Sequence, residues 1–163
     1  MHGTFNSAMA EALCGDSVSA QKGADILAQM YPQSTAVTGF YLPDLNAAIL
    51  LKAGDPAAAL TALNAARAYD LVSLTPYLRG RARVDMHDTK VALVDFQIVL
   101  AHRGVAAMLM NDVYPLAQLG EARAFAQSGD AGNATTAYKK FVDLWPNGDV
   151  RIPAMAEAVR TAK

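Results

Sequence analysis

Three closely spaced arginines in the segment LRGRARV are the residues whose types and spacing most directly suggest chemistry. Arg79, Arg81 and Arg83 alternate with the small residues between them. On a helix, residues four apart share a face, so we expect Arg79 and Arg83 to lie together and Arg81 to point nearly opposite. A guanidinium donates paired hydrogen bonds to a carboxylate. Each arginine is therefore a candidate for binding an acidic group.

Two histidines are candidates for catalytic groups. His87 and Asp88 could form a general base with its orienting carboxylate, but no nucleophile adjoins them in sequence. His102 precedes Gly104 at an expected helix end, where a cationic side chain and a glycine act as caps. The chain has no Gly-rich phosphate loop, GxSxG or HExxH motif. We therefore expect no catalytic residue, no metal site and no cofactor, and predict that this chain is not an enzyme.

The dipeptide Gly-Asp occurs between similar segments at three places, and His-Asp takes its position at a fourth. With the aspartates as reference points, the residue four positions later is alanine every time, and the residue eight positions earlier is alanine or glycine. Eight and eleven positions after each aspartate the residues are apolar, and at least one of each pair is larger than alanine. Such offsets mark one face of a helix. The reference aspartates are Asp16, Asp55, Asp88 and Asp130.

Each repeat is predicted to be an antiparallel helical hairpin. Glycine permits the left-handed conformation that ends the first helix, and aspartate caps the start of the second. Small residues beside the turn let the two helices cross closely. Alanine supplies 33 of the 163 residues and no alternating strand-like run occurs, which indicates an all-α protein. We expect nine helices, namely four hairpins and a terminal helix from about Ile152.

This pattern resembles the tetratricopeptide repeat, whose period is about 34 residues. The reference aspartates are 39, 33 and 42 residues apart (55 − 16, 88 − 55 and 130 − 88), so insertions are expected at residues 34–39 and 105–112. The resemblance implies one domain with units at about 1–32, 40–71, 73–104 and 115–146 and a capping helix at about 151–162. It also implies that the hairpins stack as a right-handed superhelix.

A narrower resemblance covers residues 40–163. The segments DFQIVLAHRG, LGEARAFAQSGD and AYKKFVDLWP, followed by Ile152-Pro153, are similar to a C-terminal helical region of acidobacterial-type serine/threonine protein kinases and winged-helix transcription regulators. The resemblance concerns the tail of such proteins and not their catalytic domain. It implies the regulatory or sensory end of a bacterial signalling protein. We expect the chain to be a fragment of a larger protein, with the opening MHGTF an artificial start.

The repeat resemblance implies a concave groove lined by the first helices of successive units. Arg81 and Arg123 occupy equivalent positions, each seven residues before its reference aspartate. Lys52 and Asp85 each lie three residues before theirs. We predict that these four residues line the groove, where the two arginines would pair with an anionic peptide or carboxylate. The alternative is a solvated helix face or a salt bridge between repeats.

Composition restricts the partner classes. The formal net charge is −1 and no basic patch is interleaved with aromatic residues, so nucleic acid is not expected as a direct partner. The longest apolar runs are too short to span a bilayer, so no membrane insertion is expected. Cys14 and Trp145 are predicted to be buried. The expected compartment is the cytoplasm, with an extracytoplasmic domain of a membrane-anchored parent as the alternative.

Two functions follow from these features. The first is a non-catalytic protein–protein interaction module that binds a protein or peptide in its groove. The second is a structural dimerisation segment that pairs attached kinase or DNA-binding domains and has no groove ligand. Met108 and Met110, in the second insertion, are predicted either to line the inside of that loop or to form a contact surface.

Overall fold

The computed structural model describes residues 1–104 and 113–162, so the insertion predicted at residues 105–112, with its two methionines, lies outside the described residues. The described residues form nine α-helices and no β-strand. In chain order the helices are α1 (His2–Cys14), α2 (Ser17–Met30), α3 (Leu42–Lys52), α4 (Pro56–Ala62), α5 (Thr75–Asp85), α6 (Thr89–Ala101), α7 (Val113–Gln127), α8 (Ala131–Leu144) and α9 (Pro153–Thr161).

All four predicted turns occur where the sequence places them. Gly15, Gly54 and Gly129 have φ values of 97°, 82° and 82°, and His87 has a φ of 61°. In each turn the following aspartate N–H donates to a carbonyl five residues earlier, as Asp16 does to Glu11 at 2.9 Å. This bond satisfies a carbonyl that the end of the helix leaves unpaired. His87 therefore adopts the left-handed conformation that glycine adopts in the other three turns.

The aspartates of these turns cap the helices that follow. The Asp16 carboxylate accepts from the Ser19 N–H at 3.0 Å, and Asp55 and Asp130 make the equivalent bonds at 2.9 and 3.1 Å. Asp88 makes no side-chain capping bond. The recurrence of Gly-Asp is thus explained by the chemistry of a helix–turn–helix junction, in which glycine ends one helix and aspartate begins the next.

Small residues lie where these helices meet. The alanines four residues after each aspartate are at most 2% exposed. Each turn joins two helices that contact each other, α1 with α2, α3 with α4, α5 with α6, and α7 with α8. The first helices of these pairs also contact one another in the order α1, α3, α5 and α7, and α9 packs against α8. The alanines concerned are Ala20, Ala59, Ala92 and Ala134.

The Phe96 ring of α6 lies between a glycine of α5 and a glycine of α7. A Cβ atom built on Gly80 of α5 would lie 2.5 Å from the Phe96 ring, and one built on Gly120 of α7 would lie equally close. Phe96 itself is fully buried. The absence of a side chain at both glycines therefore makes room for the ring between these helices.

Two irregular segments interrupt the repeat. The first predicted insertion contributes a π-helical segment, Val37–Tyr41, that runs directly into α3, and the Leu42 N–H donates to the Val37 carbonyl. Pro43 follows immediately and has no N–H to donate. After α4 the chain tightens into a 3₁₀-helix, Leu63–Tyr69, whose last ring packs on Gly39.

Two burial predictions were wrong. Cys14 is exposed at the last position of α1. Trp145 is 51% exposed and makes an edge contact with Phe141, one turn earlier, and the next helix does not cover it. Residues 145–152 separate α8 from α9, and the buried contacts of α9 are made by Met155 and Ala158.

Candidate binding groove

A pocket of about 110 Å³ lies between α5 and α7 and contains three of the four predicted groove residues. Arg81 and Asp85 line it from α5, and Arg123 lines it from α7. Lys52 does not line this pocket, because its side chain lies over the first turn, with Cε 3.5 Å from a Cβ built on Gly15. The structure therefore brings Arg81, Asp85 and Arg123 together and places Lys52 elsewhere.

The repeat explains why the two arginines share this pocket. Each lies seven residues before the aspartate that follows its helix, so each has the same rotational position on its helix. Their helices, α5 and α7, are in contact. Equivalent side chains on neighbouring helices consequently point to the same side of the molecule.

Apolar and aromatic side chains also line the pocket. Phe96 reaches it from α6 through the gap between the two glycines, and Leu116 and Leu119 contribute from α7. Tyr77 lines the pocket from the first turn of α5. We call the pocket lined by these residues, the two arginines and Asp85 the α5/α7 groove. It combines apolar and aromatic side chains with charged ones.

Arg81 is half-buried and lies over an aromatic ring. Its guanidinium carbon is 6.0 Å from the centroid of the Tyr77 ring, at the outer limit for a cation–π contact. No carboxylate within residues 1–104 and 113–162 forms an ion pair with Arg81. Its hydrogen-bonding capacity toward an acidic group is therefore not taken up by another described side chain.

Arg123 differs from Arg81 because it already holds a carboxylate. Its Nε and Nη2 donate to the two carboxylate oxygens of Glu157 in α9, at 3.0 and 2.7 Å. The Tyr138 hydroxyl donates to the same carboxylate at 2.6 Å. The hydrogen bonds from Arg123 hold the pKa of Glu157 below its ordinary value. The pKa of Tyr138 is raised, mainly by burial and also by its hydrogen bond to Glu157. The salt-bridge alternative thus applies to Arg123.

The other two clustered arginines belong to a buried ion network. Arg79 donates to both carboxylate oxygens of Asp70, at 2.7 and 2.8 Å, and to Asp95 of α6 at 3.0 Å. Arg83 pairs with the second oxygen of Asp95. The expectation that Arg79 and Arg83 share a face distinct from that of Arg81 is confirmed. Because both arginines bind Asp95, they join α5 to α6.

Asp44 is a buried carboxyl that sequence reasoning missed. Its oxygens accept from the Leu74 N–H at 3.1 Å and from the Thr75 hydroxyl at 2.7 Å, and burial raises its pKa to about 7. It lines a cavity of about 540 Å³ whose walls also include Phe5 and Phe40. The sequence feature that could have predicted its burial is the position of this carboxylate inside the apolar stretch FYLPDLNAAILL.

The histidines occupy separate places. The His102 ring lies 2.8 Å from the Ile98 carbonyl, as expected for a helix end, and His2 contacts the Tyr41 hydroxyl. His87 occupies its turn. Among the residues that the structure describes, no group of three His, Cys, Asp or Glu side chains could hold a metal ion.

Comparison with known proteins identifies no relative. No family model matches the chain, and neither the curated proteins nor the solved structures give a significant match. Of the helices in the described part of the chain, none is both long and apolar enough to cross a membrane.

Proposed function

We propose that this chain is a protein-interaction module that binds an acidic segment of a partner protein in the α5/α7 groove. The observation that supports this most is the meeting of Arg81 and Arg123 in one pocket that apolar side chains also line. Charge-assisted hydrogen bonds would hold a carboxylate, and the apolar side chains of the groove would contact an adjoining apolar side chain of the partner. The module is proposed to act without catalysis.

Arg81 is the primary anchor in this proposal. Arg123 is occupied by Glu157, whereas no described carboxylate pairs with Arg81. Asp85, one helical turn from Arg81 in the same pocket, would repel additional acidic residues and so limit how a partner lies. A partner carboxylate should therefore reach Arg81 first.

The architecture proposed for this module is a stack of tetratricopeptide-like hairpins. The contacts within each helix pair, and those among α1, α3, α5 and α7, support such a stack. The residues that resemble the tail of bacterial serine/threonine kinases and winged-helix regulators favour a regulatory or sensory role within a larger signalling protein. The cytoplasm is the compartment that fits this role.

The test compares Arg81→Ala with a matched control that removes the same charge elsewhere. Arg67→Ala serves as the control because Arg67 is exposed in the 3₁₀-helix, away from the groove. Both variants would be titrated with an immobilised library of acidic peptides. We expect Arg81→Ala to weaken binding about tenfold or more, from the loss of roughly 1.5–3 kcal/mol per charged hydrogen bond. Arg67→Ala should bind as the unmodified chain does.

Equal binding by the two variants would contradict the groove proposal. Sedimentation equilibrium would then test the alternative function, dimerisation. A stable dimer that no acidic peptide affects would instead favour the dimerisation segment, in which the chain pairs attached domains and the groove has no ligand.

A further inference from the structure

The bond between Arg123 and Glu157 joins the α5/α7 groove to the last helix of the described chain. Two parallel hydrogen bonds connect the guanidinium to the carboxylate, at 3.0 and 2.7 Å. The pair remains accessible, since 46% of the Arg123 side chain and 26% of the Glu157 side chain are exposed. This is the planar, paired geometry by which an arginine would also recognise a carboxylate from outside.

We propose that Glu157 is an internal competitor for the groove, so that an acidic partner segment exchanges with Glu157 for the guanidinium of Arg123. The inference rests on the proposed function, because it concerns the same groove and the same class of ligand. Arg81 holds the first carboxylate of the partner, and a second carboxylate takes the place of Glu157. α9 thereby regulates how tightly the groove binds.

The energetics favour an exchangeable pair. Ion pairs with this degree of exposure contribute little, because water competes for both charges. Glu157 has a second partner in the Tyr138 hydroxyl, at 2.6 Å, which remains after Arg123 is given up. The buried contacts that seat α9 are those of Met155 and Ala158, and they do not require the ion pair. Exchange at Arg123 therefore leaves α9 in place.

The experiment uses Glu157→Gln and a matched control, Asp149→Asn. Asp149 pairs with Arg151 in the loop before α9 and contacts neither arginine of the groove, so its substitution removes the same charge without altering the competitor. The probe is a triglutamate peptide with blocked ends, and a blocked triglutamine peptide measures binding that does not depend on charge. Each variant is titrated by NMR while the arginine Nε–Hε resonances of Arg81 and Arg123 are followed.

We expect Glu157→Gln to bind the triglutamate probe about three- to tenfold more tightly than the unmodified chain, the change given by releasing one accessible ion pair. The Arg123 resonance should respond to the probe at lower concentration in this variant. Asp149→Asn should match the unmodified chain. Tyr138→Phe removes the hydrogen bond that Glu157 keeps when it gives up Arg123, so it should weaken binding of the probe, and it serves as the second variant if Glu157→Gln unfolds α9.

The two proposals fail in different ways. If the Arg81 resonance responds to the probe but Glu157→Gln does not tighten binding and Tyr138→Phe does not weaken it, Glu157 is no competitor and the groove proposal stands. If neither arginine responds in any variant, the groove proposal fails and the competitor role is overturned with it.

Discussion

Replacing Asp44 by asparagine should change how the stability of this protein depends on pH. The carboxyl is fully buried, and its hydrogen bonds from Leu74 and Thr75 only partly offset the loss of water. Arg79 favours the ionised form and Asp70 disfavours it. Asparagine has nearly the same shape and does not ionise, so the comparison isolates the charge.

The magnitude follows from the shift in the pKa of Asp44, from an ordinary value of 3.8 to about 7 in the folded chain. The folded state holds the proton of Asp44 more tightly than the unfolded state does. Protonated Asp44 therefore makes its full contribution to folding stability below the unfolded pKa. That contribution is lost as the pH rises toward the folded pKa. Between pH 5 and pH 8 the loss amounts to about 2–3 kcal/mol, a large part of the stability of a typical domain.

Urea unfolding at pH 5, 6, 7 and 8 measures this effect. From pH 5 to pH 8, the unmodified chain should lose about 2–3 kcal/mol of unfolding free energy relative to Asp44→Asn. Thr75→Val removes a hydrogen bond that lowers the pKa of Asp44, so it should extend the decline to higher pH. Curves for Asp44→Asn and the unmodified chain that stay parallel from pH 5 to pH 8 would refute the reasoning.

Three further substitutions test the packing and the turns by urea unfolding. Gly120→Ala should destabilise by about 1–2 kcal/mol, since its Cβ would lie 2.5 Å from the ring of Phe96. Gly132→Ala, where nothing lies closer than 4.0 Å, should not destabilise; equal effects would contradict the close approach of Phe96 to α7. Ala134→Leu should cost roughly 1–3 kcal/mol through overpacking, and a neutral result would place the close crossing elsewhere. His87→Gly should stabilise by about 0.5–1 kcal/mol because it relieves a positive φ, and a loss of stability would mean that the ring makes a favourable contact.

Much of the fold could be predicted because its signals are local. A glycine that ends a helix and an aspartate that caps the next act within a few residues of each other, as in the bond from Ser19 to Asp16. The equivalence of Arg81 and Arg123 followed from the same spacing, and the structure places both in one pocket. Cys14 and Trp145 were predicted to be buried, but both are exposed. Residue type alone does not show whether another element covers a helix end.

The sequence by itself determined the helical class, the four turns and the burial of the alanines beside them, since each depends on residues a few positions apart. Only the tertiary structure decided which charges remain available. Glu157 reaches Arg123 from 34 residues away, and the Leu74 N–H reaches Asp44 from 30 residues away. No local pattern encodes such pairings, because they depend on how whole helices are placed against one another. The same placement leaves Arg81 as the groove arginine that no described carboxylate neutralises.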